Sequence, residues 1–94
     1  MISKERAELI SKELEVLNRA GIHARPASEI AKTASSFRSD IFFIKENMKI
    51  NAKSIMGVIT LGATYKTKIL CTCAGEDEAE AMAALESLFE RRFE

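Results

Sequence analysis

Ala20-Gly21-Ile22-His23-Ala24-Arg25-Pro26-Ala27 marks where an extended chain turns into a helix, and the other elements can be placed around it. It holds the only proline and the only histidine among the 94 residues. Proline is tolerated in the first turn of a helix, where its missing N–H leaves no bond unmade. After Pro26, the apolar residues Ala27, Ile30, Ala31 and Ala34 recur at helical spacing, which predicts a helix from Ala24 to Ser36. Before it, Lys12 to Leu17 alternates charged and apolar residues with Leu14 and Val16 on one face, the pattern of a half-buried strand. Asn18 to Gly21 is the loop between them, and Gly21 permits a sharp turn there. His23 therefore stands at or just before a helix N-terminus.

A helix N-terminus presents free N–H groups and a partial positive charge, so it suits an anion. Arg25 adds a forked donor that fits phosphate. A titratable ring nitrogen, an arginine and a helix start are what a transient phosphohistidine needs. The same spacing also fits a histidine that merely caps the helix or sits on the surface.

Outward from this stretch, Asp40 to Lys45 is rich in aromatic and β-branched residues and reads as a strand. Glu46-Asn47 is a tight turn, with Asn47 able to take positive φ, and Met48 to Asn51 pairs back as a short strand. Ser54 is a good N-cap for a helix of about two turns that ends at Gly62. Lys66 to Cys73 reads as the last strand, with Ile69, Cys71 and Cys73 on one face. Glu76-Asp77-Glu78 opens a final helix with acids in its first turn. Met82, Leu85, Leu88, Phe89 and Phe93 supply its apolar spacing, and Arg91 and Arg92 suit its end. The order is βαββαβα. Helices interspersed among strands with one polar face predict an α+β domain, with an antiparallel sheet covered on one side.

Lysine plus arginine and aspartate plus glutamate number 14 each, so no basic excess points to nucleic acid. Locally the balance differs. Arg19, Arg25, Lys32 and Arg38 face only Glu29 between Asn18 and Arg38, which suits an acidic partner or an anionic group. The charged N-terminus and the lack of any long apolar run lead us to expect no secretory signal, no membrane span and a cytoplasmic protein. Cys71 and Cys73 read as buried hydrophobes in a reducing compartment rather than a disulfide or a metal site.

The second unusual stretch is Asn51-Ala52-Lys53-Ser54-Ile55-Met56-Gly57-Val58. A phosphate on Ser54 would meet the N–H groups of the helix it begins. Ile55 and Met56 follow on so short a helix that at least one should be exposed, as a docking patch is. The same residues also fit a plain cap followed by core side chains.

Taken together, Gly21-Ile22-His23-Ala24-Arg25-Pro26-Ala27, Lys53-Ser54-Ile55-Met56-Gly57-Val58 and Leu61-Gly62 strongly resemble HPr, the histidine-containing phosphocarrier family of the bacterial sugar phosphotransferase system. The resemblance covers residues 10–94, with residues 1–9 as an N-terminal extension. It implies an open-faced β-sandwich: a four-stranded antiparallel sheet with three helices on one face. It implies a carrier without turnover of its own, without cofactor or metal, and monomeric. His23 matches the histidine phosphorylated at Nδ1, and Arg25 the arginine that assists transfer. Ser54 matches the serine modified by an ATP-dependent HPr kinase/phosphorylase in lineages that have it. Ala24, Ile55 and Met56 match the docking surface. The implied partners are enzyme I as donor, an EIIA component as acceptor, and the serine kinase with a transcription regulator that reads its product. A mainly regulatory HPr-like protein, either a kinase-read co-repressor or a nitrogen-type carrier, is the alternative. The chain departs from the family at Ala20, where a small polar residue is common, at Lys66, where glycine is usual in the turn before the last strand, and at Asn47, another common glycine position.

Overall fold

The computed structural model describes residues 9–94; residues 1–8 of the extension, read as a tail or short helical turn, lie outside them. The elements run β1 (Ile10–Glu15), α1 (Ala24–Ser35), β2 (Asp40–Lys45), β3 (Met48–Asn51), α2 (Ile55–Leu61), β4 (Lys68–Ala74) and α3 (Glu78–Glu90). The strands form one antiparallel sheet in the order β1-β4-β2-β3. The expected α+β open-faced sandwich is thus the observed fold. Alternation sets its two faces. Leu14, Ile41, Phe43, Ile69, Cys71 and Cys73 point inward and are buried. They meet Ile30 and Ala34 of α1, Val58 and Leu61 of α2, and Leu85 and Phe89 of α3 in one core. The ring of Phe89 stands edge-on to Phe43 at 5.9 Å and to Phe93 at 5.0 Å, an arrangement that aromatic quadrupoles favour.

β1 and β4 are displaced from their predicted bounds, β4 running Lys68–Ala74 rather than Lys66–Cys73, while β3 lies where it was expected. β1 lies two residues earlier than the alternation placed it, because β4 pairs with Ile10 through Glu15. Val16 keeps its inward phase and, past the strand end, still donates to the carbonyl of Thr67 and accepts from Lys66. In the β2–β3 turn, Glu46 rather than Asn47 has positive φ, at 57°. The register explains this: Lys45 pairs with Met48, so Glu46 is the first of two turn residues, where a two-residue hairpin needs the left-handed conformation. Lys66 also lies there, at φ 72°, in the turn where the family resemblance expects glycine.

α3 starts at Glu78, two residues after the beginning of its acidic run. Asp77 is its N-cap residue, but the carboxylate bonds elsewhere. It accepts from the amides of Arg38 and Ser39 and from the Ser39 hydroxyl at 2.6 Å, clasping the α1–β2 loop to the start of α3. Those donors, the Ser39 hydroxyl foremost, hold the Asp77 carboxyl down to about 2 from its ordinary 3.8. Gly75 lies against Ser39: a Cβ there would sit 2.7 Å from the Ser39 Cα, so no side chain fits. The helix ends at Glu90, and Phe93, assigned by spacing to the helix, follows a hook instead. Arg92 and Phe93 take left-handed backbone, and the Phe93 amide returns to the carbonyl of Leu88. Phe93 still reaches the core.

Cys71 and Cys73 are free, buried thiols on the inner face of β4. The hydrogen bond between them, with burial, pushes the Cys71 pKa up and keeps that thiol protonated. Among the described residues, no helix is long and apolar enough to cross a membrane.

Candidate functional site

The loop before α1 is built by its neighbours. Gly21 has φ 78°, and a Cβ on it would press the carbonyl oxygen of Ala63 at 3.0 Å, so both conformation and space demand glycine. The amide of Gly21 donates to the Asn18 carbonyl, and the Asn18 side-chain amide donates back to the Gly21 carbonyl at 2.6 Å. The amide of Ile22 donates to the Ala63 carbonyl, which pins the loop to the segment after α2. These bonds fix the chain up to Ile22, and His23 is the next residue. Asn18 does the orienting that a polar residue at position 20 could have done; its place three residues before Gly21 was the available signal. Its Oδ1 is enclosed without a donor among the described residues.

His23 is the N-cap residue of α1, with extended backbone at φ −108° and no side-chain bond to the helix. It is exposed, and its imidazole caps nothing. Its carbonyl accepts from the Ala27 amide, the first bond of the helix. Ala24 and Arg25 hold the first two helical positions, where amides have no intrahelical acceptor, and Pro26 holds the third with no amide to offer. Two N–H groups and the positive end of the helix dipole therefore flank an uncommitted imidazole. The guanidinium of Arg25 donates through Nη1 to the carbonyl of Phe93 at 3.2 Å, so the C-terminal hook tethers it. No sequence pattern signals that contact, which joins residues 68 apart in the chain.

Ser54 is the N-cap of α2 as expected, accepting from the Gly57 amide at 3.0 Å. Ile55 and Met56 are 44% and 69% exposed, so both face solvent. Ser54 and His23 are not brought together. Lys53, next to Ser54, donates to the carbonyl of Phe37 just past the end of α1, while Ala63, just past α2, accepts from Ile22 just before α1. The two helices pack side by side and run in opposite directions. The 7 residues of α2 rise about 10 Å between Ser54 and the end that meets the His23 loop. Ala24 lies at the His23 end of this pair, and Ile55 and Met56 at the other.

Comparison with known proteins follows this geometry. A family model described as "PTS HPr component phosphorylation site" matches residues 10–91. The phosphocarrier protein HPr of Treponema pallidum is 43% identical over 86 residues, 92% of this chain and 98% of that protein. The HPr-like protein Crh of Bacillus subtilis is 39% identical over 77 residues, 82% of this chain and 91% of that one. The crystal structure of HPr-C-His from Thermoanaerobacter tengcongensis superposes with a TM-score of 0.86 at 43% identity, covering 89% of this chain and 94% of that chain.

Proposed function

The chain belongs to the HPr family of phosphotransferase-system phosphocarriers, and on that premise we propose that His23 accepts a phosphoryl group from phospho-enzyme I and hands it to an EIIA component. The observation that carries this reading is the exposed, uncapped His23 beside two unpaired helix-start amides and a tethered arginine. The neutral imidazole attacks phosphorus through Nδ1. The P–N bond forms as the bond to the donor breaks, and the reverse exchange delivers the group to the acceptor. Such a transition state is loose and asks for alignment and positive charge rather than a deep pocket. The helix-start amides and Arg25 supply both at an open surface. Their hold on the phosphoryl group is modest, which a carrier needs, since a tight clamp would trap its cargo. The protein turns over no substrate of its own. Ala24, Ile55 and Met56 contact the partners.

The test is to mix the protein with phosphoenolpyruvate and enzyme I and follow an acid-labile, base-stable phosphoryl adduct. The wild type acquires it and His23→Ala does not; an adduct on His23→Ala overturns the assignment.

A regulatory role through Ser54 is the second reading, favoured by the exposure of Ser54, Ile55 and Met56 at one spot. An ATP-dependent kinase places phosphate on the Ser54 hydroxyl, and a transcription regulator reads the product. Labelling from ATP is lost in Ser54→Ala if this holds; undiminished labelling removes the site.

A further inference from the structure

Next to the acceptor loop lies a hollow of about 390 Å³, lined by Leu17, Asn18, Arg19, Tyr65, Arg92 and Glu94. Ligand pockets generally hold about 300–1,000 Å³, so this one has room for a small molecule. Three separate segments build it: the β1–α1 loop, the turn before β4 and the C-terminal hook. Left-handed backbone shapes two of its walls, at Lys66 beside Tyr65 and at Arg92.

Its charges are uncommitted. The Arg19 guanidinium lies 5.3 Å from the Tyr65 ring centroid, and the Lys66 ammonium lies 5.5 Å from the same ring. Contact with the ring leaves the N–H groups of Arg19 available. The guanidinium groups of Arg19 and Arg92 have no hydrogen bond or ion pair with any other described residue. Glu94 is the one acid in the lining, and its backbone oxygen is taken by Arg91 at 2.6 Å. Two guanidinium groups thus share one concave surface with a phenol ring, a leucine and a single carboxylate. The side chains of the lining carry net positive charge, which favours an anion.

We propose that this hollow binds a small phosphorylated carboxylic acid, its two anionic groups held by Arg19 and Arg92 and its carbon chain lying on Leu17 and Tyr65. Phosphate and carboxylate are the groups that a planar guanidinium fork fits. His23 is not among the residues that line it. Its link to the acceptor loop runs through Phe93, between Arg92 and Glu94, whose carbonyl tethers Arg25.

The test uses the full chain, labelled with nitrogen-15, at fixed pH and ionic strength. It is titrated separately with 3-phosphoglycerate, inorganic phosphate and glycerol. Saturable shifts at the amides of Arg19, Tyr65 and Arg92 are expected with 3-phosphoglycerate, weaker binding with phosphate, and none with glycerol. Arg19→Gln and Arg92→Gln each weaken binding about tenfold, as loss of one charge-assisted pair does. Both substitutions are at exposed side chains, and the amide spectrum of each variant reports its fold directly. His23→Ala binds as the wild type does, so failure of the His23 assignment leaves this result unaffected. The proposal is overturned by shifts that never saturate, by unchanged affinity in both arginine variants, by phosphate binding as tightly as 3-phosphoglycerate, or by shifts centred on Ala24 and Arg25 that vanish in His23→Ala.

Discussion

Asn18 spends one half of its amide on the Gly21 carbonyl and leaves the other half, Oδ1, enclosed with no donor among the described residues. Truncating it removes a hydrogen bond and an orphaned acceptor together. These effects oppose each other, so Asn18→Ala should change stability by less than about 1 kcal/mol. The loop ahead of His23 loses its brace, however, and transfer to His23 should slow by roughly tenfold, since small misplacements of a reacting group are costly. Urea denaturation and the initial rate of phosphoryl loading measure the two. A large stability loss with unchanged loading would show that Asn18 serves the fold and not the loop. His23 was legible at this scale because Pro26 and the apolar spacing after it place a helix start within one residue. The tether on Arg25 was not legible: a side chain bonded to a distant backbone carbonyl leaves no pattern in sequence.

Among the elements, the starts of α2 and α3 look alike in sequence, each a capping residue before an apolar run, yet they behave differently. Ser54 caps its own helix, whereas Asp77 faces away and clasps Arg38 and Ser39. The clasp makes a pH prediction. The Asp77 carboxyl is depressed to about 2 in the folded protein against 3.8 ordinarily, so its contribution is complete above the ordinary value and is lost as pH falls toward 2. Asp77→Asn should therefore lower the urea midpoint at about pH 6, and the gap to wild type should close on acidification. A gap that is constant with pH refutes the role of ionised Asp77. Element identity and order could be read from periodicity, because the apolar phase of Leu14, Val16, Ile69, Cys71 and Cys73 survives any shift of strand ends. The ends themselves could not. Pairing register decides them, as it decides that Glu46 and not Asn47 takes the left-handed turn position.

Over the whole molecule, Ser54 and the His23 loop lie at opposite ends of α2, whose 7 residues rise about 10 Å, close to the screening length of about 8 Å at physiological ionic strength. Charge added at Ser54 is therefore partly screened before it reaches His23. It acts most directly on whatever partner spans both helices, where Ile55 and Met56 are exposed. Ser54→Asp should slow loading from enzyme I, and the slowing should shrink as salt is raised. Slowing that is independent of salt would place the effect inside the protein rather than at an interface. This separation could not be read from the sequence, because it depends on the opposite directions of α1 and α2. The fold also sets a map of solvent exchange. β4 is paired on both sides, and Ile22 is bonded to Ala63, so their amides should trade protons for deuterons slowly. Ala24 and Arg25 begin α1 with no intrahelical acceptors, so their amides should exchange nearly as fast as in an open chain. A slow and a fast proton would then lie on either side of His23, a rigid mount ending abruptly in a wet tip.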